Sequence, residues 1–85
     1  MPTIFIVFGF CFKFYSNDHE PIHIHVTKGG HEAIFSLEPV VELVVNRGFK
    51  KQELTVITGI IEENTEILVE RWKEYFKGKK DAPLD

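Results

Sequence analysis

The hydrophobic period of this chain changes once, near residue 46, and that change constrains the fold more than any other feature. Before it, apolar residues alternate, which is the period of a strand. After it they recur every three or four residues, which is the period of a helix. Residues 3–8 (TIFIVF) are β-branched and aromatic. After Gly9, residues 10–15 (FCFKFY) put Phe10, Phe12 and Phe14 on one face and Cys11, Lys13 and Tyr15 on the other. Residues 16–21 (SNDHEP) carry turn chemistry, because Asn and Asp bond their own backbone and Pro fixes φ. Alternation resumes over 22–28, with Ile22, Ile24 and Val26 facing one way and His23, His25 and Thr27 the other. Gly29-Gly30 reads as a tight hairpin turn. Residues 31–37 form a fourth strand with Ala33, Phe35 and Leu37 inward, Pro39 interrupts, and 40–45 form a fifth. Asn46-Arg47-Gly48 reads as the next turn.

A helix then starts near Lys50 or Lys51. Leu54, Ile57, Ile61, Asn64, Leu68, Trp72 and Tyr75 make its apolar stripe, widened by Ile60, Ile67 and Phe76. Asn64 is the polar member of that stripe, placed to kink or break the helix or to bond across to the sheet. Glu62, Glu63, Glu66, Glu70 and Glu74 read as a solvated face, and Gly78 is expected to stop the helix. The expected architecture is α+β: residues 1–78 form one two-layer domain, and 79–85 form a polar tail. In it a meander of four to five antiparallel strands packs on one long C-terminal helix, so that each apolar face covers the other. Counting parity straight through the first turn places Phe5, Val7 and Ile34 on the far face of the sheet. With eight Phe in the chain, apolar surface left open there points to a dimer or a partner contact. The alternative is a first pair of strands buried on both faces.

Length and charge exclude several classes. A chain of 85 residues makes one domain and buries only about 60% of its unfolded surface. One cysteine, Cys11, allows no intrachain disulfide and no multi-cysteine zinc site. No apolar run reaches the roughly 20 residues of a membrane span, and Met1-Pro2-Thr3 lacks the basic region of a secretory signal, so a cytoplasmic protein is expected. The net charge of −3 gives no overall field toward nucleic acid. Gly29-Gly30 is not followed by the helix and Lys-Ser/Thr pair of a phosphate loop, no nucleophile elbow is present, and Cys11, between Phe10 and Phe12, reads as a packed residue.

The chemistry-bearing stretch is histidine-rich. His19, His23 and His25 lie within seven residues, with Glu20 beside the first. Two imidazoles alternating on a strand project from one face about 7 Å apart, and the turn before them can bring His19 back. Three chemistries fit. One is a zinc-type site with His19, His23 and His25 as three of four ligands. Another is metal-free RNA cleavage through the 2′-hydroxyl, with His23 and His25 as base and acid, Lys13 or Arg47 on the phosphate, and Tyr15 stacked on a base. The third is plain: polar residues on a half-exposed strand, with a structural or partner-contact role. His31, after Gly30, reads as a surface residue.

Several segments together resemble one family. They are Met1-Pro2-Thr3-Ile4, then Phe14 through Val26 with its His-Glu-Pro-x-His-x-His-Val core, then Lys28-Gly29-Gly30, Leu37-Glu38-Pro39, Asn46-Arg47-Gly48-Phe49, Glu62-Glu63-Asn64 and Trp72. The chain resembles, over nearly its whole length, the small prokaryotic family known as domain of unknown function 4160. The resemblance brings no established activity. It implies a gene order, since members often sit beside a second uncharacterised family, domain of unknown function 2442, in a toxin–antitoxin-like arrangement. From this follows the expectation of a protein-binding component with a partner encoded nearby. The alternative is a histidine-based ribonuclease or metal-dependent hydrolase. The family-like positions here are His19, Glu20, His23, His25, Arg47 and Gly48. Two positions depart from its pattern: Lys50-Lys51 replace the usual Ser and Pro, leaving the helix without a side-chain cap, and Ile34 replaces a charged residue.

Overall fold

A computed structural model gives the three-dimensional structure, and it describes residues 3–15 and 21–80, with side chains for 5–15 and 21–76. Five strands form one antiparallel meander: β1 (Thr3–Val7), β2 (Phe10–Lys13), β3 (His23–Lys28), β4 (His31–Ser36) and β5 (Glu42–Arg47), in the order β1-β2-β3-β4-β5. Two helices follow, α1 (Lys51–Glu63) and α2 (Thr65–Lys80). The α+β meander expected from the sequence is present, but the single long helix is not.

The helix breaks at Asn64 for a local reason. In a continuous helix the backbone N–H groups of residues 64 and 65 donate to the carbonyls of Ile60 and Ile61. Here the Asn64 side-chain amide donates to Ile60 O at 2.7 Å, and the Thr65 hydroxyl donates to Ile61 O at 2.8 Å. The backbone N–H of Asn64 turns to Ile61 O instead, and the ladder restarts beyond it. At the other end α2 passes through Gly78 to Lys80, correcting the expected stop. Glycine disfavours helix by about 1 kcal/mol relative to alanine, which a sequence rich in good helix formers tolerates. At the start of α1 no side-chain cap comes from Lys50, as expected. Glu53 supplies half a capping box by accepting the Lys50 N–H at 2.9 Å.

The inner sheet face is as the alternation predicts. Phe10, Phe12, Phe14, Ile22, Ile24, Val26, Ala33, Phe35 and Leu37 are buried, and Ile57, Ile60, Ile61, Leu68, Trp72 and Phe76 meet them from the helices. Three expectations need correction. Phe5 and Val7 belong to this inner face: Phe8 and Gly9 form a two-residue turn with φ of 53° and 82°, so Val7 pairs with Phe10, and Phe5 with Phe12. Parity does not run through such a turn. Ile67 is exposed, because the restart of the helix rotates it off the stripe. The fifth strand starts two residues later than expected and extends through Asn46 and Arg47. Pro39 has no N–H to donate, so pairing resumes only at Ser36 with Glu42.

After β5 the chain turns on Gly48, at φ 110°, while Asn46 holds Phe49 at both ends: its amide donates to Phe49 O and its Oδ1 accepts the Phe49 N–H, each at 3.0 Å. At the same end of the sheet, Lys28 Nζ donates to Phe8 O at 3.1 Å and lies 4.6 Å from the Phe10 ring centroid, tying the two hairpin tips together.

Candidate functional site

The polar alternates of β2, β3 and β4 share the sheet face opposite the helices. Register decides which of them meet. The two-residue turn at Gly29-Gly30 pairs Lys28 with His31, so His25 stands opposite Ile34 on one side, and β2 places Lys13 opposite it on the other. His23 faces Ser36, Thr27 faces Glu32, and Cys11 faces Thr27.

His25 is the centre of the site. It is only 7% exposed although it lies on the outer face, because neighbouring side chains wrap it. The Tyr15 ring meets it edge-on at 4.2 Å between centroids, and the His23 ring lies 5.3 Å away at 63°. Glu32, one register step along β4, reaches diagonally to put Oε2 3.0 Å from His25 Nδ1. Lys13 Nζ sits 5.9 Å from the Tyr15 centroid. On the same strand, His23 Nδ1 lies 2.8 Å from the Pro21 carbonyl oxygen.

Those two contacts fix the proton positions. A carbonyl oxygen only accepts, so His23 Nδ1 donates; the Glu32 carboxylate accepts in the same way from His25 Nδ1. In the neutral ring the lone pair of each imidazole therefore sits on Nε2. A ring anchored through Nδ1 on a carboxylate or carbonyl has a set orientation, which serves proton transfer and metal ligation alike.

The structure thus brings together Lys13, Tyr15, His23 and His25. Arg47 stands opposite Glu32 on β5, two strands from His25, roughly 10 Å across the sheet. His19 and Glu20 lie outside the described residues, and among the described residues no three metal-ligating side chains converge. His31 is exposed yet engaged: its ring packs 5.7 Å from Phe49 and lies against Gly48. Glu32 is the member that residue-type patterning missed. Its signal was the Gly29-Gly30 turn, which sets the register and hence the diagonal to His25. A shallow depression on α1, lined by Lys51, Leu54, Thr55, Thr58, Gly59 and Glu62, is built from other residues and holds no imidazole.

A family model described as domain of unknown function (DUF4160) matches residues 9–73. The chain belongs to the domain of unknown function 4160 family. No curated protein and no solved structure matches it. The segment matched by this family runs from the β1–β2 turn into α2, so it contains Lys13, Tyr15, His23, His25, Glu32 and Arg47. Among the described residues no helix is long and apolar enough to cross a membrane.

Proposed function

We propose that this domain is a protein-binding module, one component of a toxin–antitoxin-like two-gene pair. The observation that carries this reading is the apolar surface left at the two edges of the sheet. On the β1 side Ile6 is 62% and Phe8 75% exposed; on the β5 side Val40, Leu43 and Val44 are exposed. No described element covers the outer face. Small domains rarely leave large apolar side chains clustered in water unless a partner covers them. Both edge strands carry a register irregularity, between Thr3 and Phe5 in β1 and opposite Ile34/Phe35 in β5. Such bulges discourage indefinite strand addition, which suits docking of a defined partner over open-ended assembly. The net charge of −3 makes a protein a better-matched partner than nucleic acid. Co-expression with the neighbouring gene product, followed by size-exclusion chromatography, tests the reading. A stable complex, lost on changing Phe8 and Val44 to Ser, is expected; two strictly monomeric, non-associating products reject it.

A second reading, favoured by the anchored imidazoles, is a histidine-based ribonuclease or hydrolase. In it His25, backed by Glu32, would act as base and His23 as acid, with Lys13, opposite His25, on a phosphate and Tyr15 a surface for a base. Replacing His23 and His25 with Ala, with the far-ultraviolet spectrum unchanged, is expected to abolish RNA cleavage measured in excess chelator. Absence of cleavage by the unaltered protein removes this reading.

A further inference from the structure

β5 is the last strand of the sheet, and no described strand pairs with its outer edge. Its sequence, Glu42-Leu43-Val44-Val45-Asn46-Arg47, carries opposite charges at its two ends and is apolar at its centre. Leu43 and Val44 are exposed. Glu42 and Arg47 are exposed too, and among the described residues neither has a charged partner. In a regular strand, residues 42 and 47 would lie on opposite faces. The bulge in β5 changes that. Residues opposite one another in a ladder share a face, so Glu42, Val45 and Arg47, opposite Ser36, Ile34 and Glu32, stand on the outer face. Leu43 and Asn46, opposite Phe35 and Ala33, stand on the inner one. Val44 is the extra residue that brings both charges to one side.

We propose that β5 pairs antiparallel with β5 of a second copy, about a two-fold axis perpendicular to the sheet beside the Val44–Val45 bond, joining two meanders into one continuous sheet. In that register Glu42 meets Arg47 of the second copy, Leu43 meets its Asn46 and Val44 meets its Val45, and the two-fold repeats each pair. Outer-face residues then meet outer-face residues, and the helices of both copies lie on the same side. A slip of two residues either way sets one charge against a valine and loses both ion pairs. Parallel pairing in register would stack like charges. The other edge strand, β1, is Thr3-Ile4-Phe5-Ile6-Val7 and carries no charge, so nothing in it fixes such a register. The contact closes at two copies and leaves Ile6 and Phe8, on the β1 side, to a different protein. It goes beyond the two-gene reading and shares with it only the exposed side chains of β5. A single short strand lies at the small end of specific interfaces, below about 1,200 Å2 in total, so the dimer is weak, with a Kd of roughly 10–100 μM.

Sedimentation equilibrium of the full chain alone, over roughly 5–500 μM, reads the association. A reversible monomer–dimer equilibrium with no larger species is expected. Arg47→Glu and Glu42→Arg each turn both ion pairs into like-charge pairs, and each should weaken the dimer by about 10-fold or more. The double variant, Glu42→Arg with Arg47→Glu, restores opposite charges across the axis and should recover the parent affinity to within about 3-fold. A one-to-one mixture of the two single variants should associate as the parent does, because each pair again joins opposite charges. A chain that stays monomeric throughout overturns the contact. So do growth beyond two copies, single variants that associate as the parent does, or a double variant and a mixture that both fail to recover. Because the chain is measured alone, a missing dimer leaves the two-gene reading standing; a dimer that does not bind the neighbouring product removes that reading and leaves this one.

Discussion

Gly48→Ala probes the junction that joins the sheet to α1. Gly48 has φ 110°, a conformation that L residues rarely adopt. An added Cβ would meet the His31 ring, with its Cγ and Cε1 at 2.9 Å and its Nδ1 nearer still. Two costs follow. Backbone strain at positive φ is about 1–2 kcal/mol for a residue with a Cβ. Expelling the His31 ring forfeits its packing on Phe49, worth about 0.5–1.5 kcal/mol for a ring pair. Together they predict a loss of about 1.5–3.5 kcal/mol, or roughly 6–28 °C in Tm for a domain of this size. Urea unfolding followed by the fluorescence of buried Trp72 measures it. The two costs separate in a double-mutant cycle. In a His31→Ala background the ring is gone, so Gly48→Ala should cost only the strain, less than in the parent by about 0.5–1.5 kcal/mol. Equal cost in both backgrounds refutes the His31 packing, and no cost in either refutes the positive φ.

Three further outcomes are expected. Phe12→Ala, at a fully buried position on the central inner face, should lose about 3–5 kcal/mol in urea unfolding, and a loss below about 1 kcal/mol would contradict the placement of that core. Asn46→Ala removes both bonds to the Phe49 backbone and should cost about 1–3 kcal/mol, with amide exchange at Phe49 accelerated; unchanged exchange would mean that the bonds do not form. Lys28→Met keeps the stem but loses the bond to Phe8 O and the contact with Phe10, so about 0.5–1 kcal/mol should go, and a stabilised variant would deny the clamp.

For the imidazoles, the structure supplies neighbours where patterning supplied only a face. Alternation in 22–28 placed His23 and His25 together, and the same alternation in 10–15 placed Lys13 and Tyr15 on the matching side. Glu32 lies seven residues beyond His25 in a different strand, and only strand pairing brings its oxygen to Nδ1. Phe5 and Val7 show where patterning fails. A two-residue turn returns the chain on the same face, so an odd–even count carried across Gly9 assigns them to the wrong side. The helix break shows a different failure. Asn64 was visible as a misfit in the stripe, but only the capture of the Ile60 carbonyl by its side chain distinguishes a break from a kink.

Two periods, written into the order of apolar and polar residues, determined on their own that this chain makes a meander backed by helix and which face of residues 10–37 it buries, because within one run of strand the buried face follows from the alternation. The assembly of Tyr15, His23, His25 and Glu32, the return of β1 to the core, and the docking of His31 on Gly48 were decided by tertiary structure. Each depends on register, on turn geometry or on a side chain reaching between strands, and these are distances between residues far apart in the chain.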